Sequence, residues 1–343
     1  LVCQNLESGL SFRVRLAADS VTDEADKQMN IPSVYPFHPL SKSVANIAMK
    51  FCQPPNPLKS GDLLRVIAPS GTLREFSAFE KGIEVWRSRG YRVELTPGFD
   101  DRHGYLAGTD ENRRIQLETA LKDPDCRGIL CARGGWGGAR LLERWTFPFV
   151  EPKWLIGFSD ITGLLWAYSL QGVSGVHGPL LTTIATEPDW SKQRLFNWVE
   201  GRELPTLKGT GWGKGQTSGF LLPANLTVAT HLLNTPWQPD LSDVILAIED
   251  VTEAPYRIDR MLTQWRLSGV FKQIRGVAIG RFSQCDPPAN VPSFSVEEVL
   301  RDRLADLDIP VVSDLPFGHD GENAALPVGI PVVLDSDRGT LSF

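Results

Sequence analysis

The stretch Trp154-Leu-Ile-Gly-Phe-Ser-Asp-Ile-Thr-Gly-Leu-Leu-Trp166 decides the reading of this chain. It runs as a short apolar strand, a sharp turn and an apolar helix, with Ser159 on the turn. A serine so placed is held out from the backbone beside helix N-terminal amides, which suits a nucleophile. The plain alternative is a helix cap, for which Ser159 and Asp160 are both favoured types. Gly-Phe-Ser-Asp-Ile also departs from the G-x-S-x-G elbow, with Ile161 where the second glycine would stand.

Outward from this turn, strands and helices alternate. Asp62-Leu-Leu-Arg-Val-Ile-Ala-Pro-Ser70 reads as a strand and its turn, and helical spacing from Glu75 to Arg89 stops at Gly90. Tyr91–Leu95 is a second strand, Asn112–Leu121 a helix, and Gly128–Ala132 a third strand. A glycine loop, Arg133-Gly-Gly-Trp-Gly-Gly138, leads to a helix over Ala139–Trp145. Such alternation predicts a parallel sheet covered by helices, with ligands at the carboxyl ends of its strands. Residues 51–185 therefore form an α/β domain carrying the nucleophile. Residues 186–215 are richer in polar residues, Pro and Gly, and read as a linker. Residues 216–343 read as a smaller, mixed, β-rich domain. Its strands are Val244-Ile-Leu-Ala-Ile-Glu249 and Gly276-Val-Ala-Ile-Gly280, its main helix Arg257–Leu267, and its end a hairpin from Pro331. Residues 1–50 lack a sustained period and read as a disordered or non-native extension, with Met49 as an alternative start.

Composition narrows the function classes. Hydrophobic content of 42% and charged content of 22% fit a globular protein. A net charge of -6 without a basic stripe argues against a nucleic-acid partner. No apolar run is long enough to span a bilayer, and no stretch has the zones of a signal peptide. The five cysteines lack C-x-x-C spacing, so neither a disulfide framework nor a zinc site is expected. No His/Cys/Asp cluster has ligand spacing, so no metal is expected.

The glycine loop resembles a dinucleotide fingerprint but lacks the G-x-G-x-x-G spacing, and no Gly-Lys-Ser/Thr follows it. Its other use is anion stabilisation, with the N–H groups of Gly135 and Asp160 as oxyanion donors. Far downstream lie Glu249 and His319. Serine, acid and histidine in that chain order can form a hydrolytic triad. His177 is the rival base and Glu253 the rival acid.

Taken in order, several segments resemble the LD-carboxypeptidase family of serine peptidases, which includes the microcin self-immunity hydrolases. They are Val66-Ile-Ala-Pro-Ser-Gly71, Arg133-Gly-Gly-Trp-Gly137, Ile156-Gly-Phe-Ser-Asp-Ile-Thr162, Val176-His-Gly-Pro179, Asn225-Leu-Thr227, the run Ile248 to Leu262, and Leu315-Pro-Phe-Gly-His319. The resemblance implies a Rossmann-like N-terminal domain, a smaller C-terminal β-rich domain and an active site between them. It implies a cofactor-free triad of Ser159, Glu249 and His319 in a cytoplasmic homodimer. It also implies release of the terminal D-alanine from muropeptide tetrapeptides, by cleavage of an L,D bond, in peptidoglycan recycling. Phe158 and Trp136 stand where the family pattern has tyrosine. Two other functions remain open. One is hydrolysis of aminoacyl or peptidyl nucleotides, as in the microcin-immunity members, with Trp190 or Trp212 stacking on the base. The other is a non-catalytic nucleotide-binding module.

Overall fold

The computed structural model describes residues 51–343 apart from Phe149 and Pro288. The expectations for residues 1–50, the Met49 start included, lie outside the described residues. The first elements are β1 (Leu63–Ile67), α1 (Phe76–Ser88), β2 (Arg92–Leu95), α2 (Asp110–Lys122), β3 (Cys126–Cys131), β4 (Trp154–Gly157), α3 (Thr162–Ser169) and β5 (Val176–His177). Next come α4 (Leu181–Ile184), α5 (Asp189–Val199), β6 (Leu207–Lys208), β7 (Thr210–Gly211), β8 (Gln216–Asn225) and α6 (Leu226–Leu232). The last are β9 (Val244–Val251), α7 (Pro255–Leu267), β10 (Gly276–Ser283), α8 (Val296–Leu304), β11 (Val311–Ser313), β12 (Leu326–Pro327), β13 (Pro331–Asp335) and β14 (Thr340–Ser342).

These strands form two sheets. The first has the order β12-β5-β4-β3-β1-β2 and is parallel except for β12. The second has the order β6-β14-β13-β8-β9-β10-β11-β7. There β8, β9, β10 and β11 run parallel and the outer pairs antiparallel. The fold is thus α/β, with a parallel-sheet N-terminal part and a mixed, β-rich C-terminal part. Strands covered on both faces need apolar side chains on both, hence the runs at β3, β4 and β9 rather than alternation.

Local chemistry sets the element ends. Thr109 caps α2 by accepting from the Asn112 N–H at 3.1 Å, and Asp110 and Glu111 occupy the positive first turn. Gly90, at φ +94°, terminates the turn after α1. The helix expected over 139–145 is a 3-10 helix over Ala139–Arg144. It has little room between Gly137, at φ +96°, and the extended backbone of Trp145. The stretch 186–215 holds α5, β6 and β7, and both strands join the second sheet.

Two features bring the sheets together. The β12 strand pairs with β5, so late chain is sewn onto the first sheet. Helix α3, which follows Ser159, is bonded to β8. The Trp166 indole N–H donates to the Pro223 carbonyl at 3.1 Å, and the Asn225 N–H donates to the Thr162 hydroxyl at 3.0 Å. Trp166 is fully buried, and cutting so large a side chain to alanine typically costs about 3–5 kcal/mol.

Candidate active site

Ser159 lies one residue beyond the end of β4, after Phe158, and opens the short 3-10 turn Ser159–Ile161 before α3. Its φ is +64°, in the left-handed region that side-chain-bearing residues seldom adopt. Such strain is retained where the surrounding structure fixes it, and nucleophile elbows are one such place. Ser159 is half-buried. Gly134 packs against it: a Cβ at Gly134 would lie 3.0 Å from the Ser159 Cβ and 3.1 Å from its Oγ. The close approach of the glycine loop to the serine therefore requires glycine at 134.

A buried carboxylate holds this arrangement. Asp160 Oδ2 accepts from the Ser70 hydroxyl and from the Gly138 N–H, both at 2.6 Å. One side chain thus ties together the turns after β1, β3 and β4. Burial pushes the Asp160 carboxyl pKa up, against the pull of Ser70, Gly138 and nearby Arg113. Arg113, fully buried on α2, donates to the carbonyls of Pro69 and Gly137. The Gly71 N–H donates to the Gly134 carbonyl at 3.1 Å. Among the described residues, neither the Gly135 N–H nor the Asp160 N–H has an acceptor.

The acid and the imidazole come from the second sheet. Glu249 lies in β9, beside Asn225 of β8, and its side chain has no solvent exposure. Its Oε2 is 2.6 Å from His319 Nδ1. Nδ1–H donates to the carboxylate, so in the neutral ring the lone pair sits on Nε2, the nitrogen a serine proton would need. Burial raises the Glu249 pKa, and the facing imidazole offsets part of the rise. Burial pulls the His319 pKa down, but the charge and hydrogen bond of Glu249 outweigh it and the pKa is raised. The Phe158 ring, one residue before Ser159, lies 4.6 Å from the His319 ring, centroid to centroid. No hydrogen bond joins Ser159 to His319 among the described residues. Serine–histidine contacts are often long in free enzymes and tighten with substrate.

The rivals stand elsewhere. His177 is fully buried on β5, and neither ring nitrogen has a partner among the described residues. Burial, aided by nearby His319, pulls its pKa down to about 3, so it stays neutral. Glu253 pairs with Arg257 at 3.4 Å, four residues along, and does not reach His319. Trp136 is exposed and meets exposed Tyr105 edge-on at 6.4 Å. Trp190 is exposed on α5, while the Trp212 ring is covered by the Arg301 guanidinium at 3.8 Å. The Ser70–Asp160–Gly138 junction escaped sequence reasoning. Its only signal was a serine at the end of one strand and an acid at the end of another.

A serine on a strained turn, with a carboxylate-bound imidazole in the same fold, is the equipment of a serine hydrolase. Comparison with known proteins narrows the class. The family models for the LD-carboxypeptidase N-terminal and C-terminal domains match residues 64–178 and 218–334. A putative carboxypeptidase of Synechocystis sp. is 56% identical over 301 residues, 88% of this chain and 100% of that one. The crystal structure of muramoyltetrapeptide carboxypeptidase from Oxalobacter formigenes superposes with a TM-score of 0.73 at 32% identity, covering 81% of this chain and 97% of that one. The microcin C7 self-immunity protein of Escherichia coli is 24% identical over 327 residues, 84% of this chain and 94% of that one. The chain belongs to the LD-carboxypeptidase family and is a serine-type LD-carboxypeptidase.

Proposed function

We propose that this enzyme removes the terminal D-alanine from muropeptide tetrapeptides, with Ser159 as nucleophile, His319 as base and Glu249 as its orienting acid. The observation that carries the reading is the 2.6 Å bond from Glu249 to His319 Nδ1, which leaves Nε2 as the basic nitrogen. His319 takes the Ser159 proton as Oγ attacks the carbonyl of the L,D amide. The Gly135 and Asp160 N–H groups hold the developing oxyanion. His319 then protonates the departing D-alanine, and water, activated by the same imidazole, hydrolyses the acyl-enzyme. Glu249 fixes the tautomer and stabilises the imidazolium throughout.

A relative supports this substrate: the Oxalobacter formigenes structure is that of a muramoyltetrapeptide carboxypeptidase. We propose further that the enzyme acts in peptidoglycan recycling, as a homodimer in the cytoplasm. Incubation of the protein and its Ser159→Ala variant with a muropeptide tetrapeptide, followed by mass analysis, tests it. Loss of one alanine by the parent and none by a folded Ser159→Ala variant is the expected result. An intact tetrapeptide, with cleavage of an aminoacyl nucleotide instead, would replace the substrate. Normal turnover by Ser159→Ala would remove the nucleophile.

A further inference from the structure

We propose that Glu187 is a positioning residue for the histidine loop, acting on His319 through Asn323. The inference rests on His319 being the catalytic base. His319 stands in the loop 316–325. The Ala324 N–H closes the neck of this loop on the Pro316 carbonyl at 2.9 Å. Inside it, the Gly318 N–H donates to Asn323 Oδ1 at 3.3 Å. Asn323 is fully buried, and its own N–H donates at 2.9 Å to Oε2 of Glu187, 136 residues earlier. The Ser191 hydroxyl lies 3.0 Å from the same carboxylate oxygen and 2.9 Å from the Asn323 carbonyl. Arg194 Nε donates to the Ala325 carbonyl at 2.9 Å. Residues 187, 191 and 194 thus hold the returning limb of the loop.

The outgoing limb is held by β10. The Arg281 N–H donates to the Phe317 carbonyl at 2.8 Å. Gly318, at φ +138°, passes so close that a Cβ there would lie 2.9 Å from the Arg281 Cβ. His319 sits between these two grips. Only one of them depends on a buried charge: Glu187 is 7% exposed, and a carboxylate taken from water must find donors. Its donors are the loop backbone at Asn323 and the Ser191 hydroxyl. Displacing a reacting group by about 1 Å can cost about a hundredfold in rate. A loosened loop would also lengthen the 2.6 Å bond from His319 to Glu249.

The foremost charges acting on His319 are Glu249 and Asp250 of β9 and Asp320 of its own loop, with His177 of β5 close by. Glu187 bonds to the Asn323 N–H and the Ser191 hydroxyl rather than to the imidazole, so its effect on His319 runs through geometry. Glutamine separates the two effects, because its amide oxygen can accept the same bonds without charge. The test is steady-state kinetics on a stem tetrapeptide ending in D-alanine, over a range of pH. Glu187→Ala should lower kcat by about ten- to hundredfold with KM nearly unchanged. Its acid limb in kcat/KM should move to lower pH, as His319 loses the partner that raises its pKa. Glu187→Gln should restore both kcat and the limb. If circular dichroism shows that Glu187→Ala does not fold, Glu187→Asp replaces it. That variant keeps the charge but falls one methylene short, and should show the same fall and shift. Parent-like kcat and acid limb in the shortened variant, with His319→Gln inactive, would overturn the inference alone. Loss in Glu187→Gln equal to that in Glu187→Ala would overturn it too, by making charge the cause. Parent-like turnover by His319→Gln would remove the base assignment, and this inference with it.

Discussion

Replacing Glu249 by glutamine tests the centre of the mechanism. The carboxylate is unexposed and 2.6 Å from His319 Nδ1. At an effective dielectric of about 20, opposite unit charges at that distance attract by about 6 kcal/mol. That attraction grows as the imidazole takes the serine proton, so it acts on the transition state. Losing it corresponds to roughly ten-thousandfold in rate, since about 1.4 kcal/mol is tenfold. The serine-protease template loses a similar factor when its acid becomes an amide, through the wrong tautomer. Here the amide of the introduced glutamine can donate to Nδ1, which would leave the proton on Nε2. Folding should survive, because the carboxylate is already disfavoured by burial and its Oε1 has no partner among the described residues. Turnover of a stem tetrapeptide and Tm should be measured for Glu249→Gln and Glu253→Gln. The first should lose about four decades in kcat with a near-parent Tm. The second loses only a partly exposed ion pair at the start of α7, worth about 0.2–1 kcal/mol, and should keep its activity. A nearly normal Glu249→Gln beside a crippled Glu253→Gln would refute the reasoning.

Three further outcomes are expected. Gly134→Ala should cut kcat by about a hundredfold, because its Cβ would press on the Ser159 side chain; a parent-like kcat would show that the loop can yield. His319 must be neutral to act as base and its pKa is raised, so activity should fall as pH drops through a value above about 6.5, while the stability it contributes is full below its unfolded pKa and fades as pH rises through the folded one; a kcat/KM acid limb below that value would contradict the Glu249 pairing. Activity should persist after prolonged chelation, since an acyl-enzyme mechanism with backbone oxyanion donors requires no metal; loss on chelation, reversed by a divalent ion, would overturn it.

The alternation of strand and helix was legible because parallel strands buried on both faces must be largely apolar, as β1, β3 and β4 are apart from Arg65 and Arg127. The Ser159 turn was legible for a similar reason, as an apolar strand running into an apolar helix leaves only the turn for a polar residue. What escaped were the roles of buried polar side chains outside the Ser159, Glu249 and His319 set. Helix α5 looked like linker because its sequence is polar, yet Ser191 and Arg194 are among its buried residues. They face inward because the loop that carries His319 offers carbonyls there, at Asn323 and Ala325. Those acceptors lie more than 130 residues downstream, so no local window contains both halves of the pair. Asp160 repeats the lesson: its amide was read as an oxyanion donor, while its carboxylate clasps Ser70, 90 residues upstream. His319 and its rival His177 both stand beside glycine in the sequence. Burial separates them, since one ring is walled in with no hydrogen-bond partner among the described residues and the other finds a carboxylate. Periodicity reports which faces are apolar. It carries no information on which distant donor meets which acceptor, and an active site is made of those meetings.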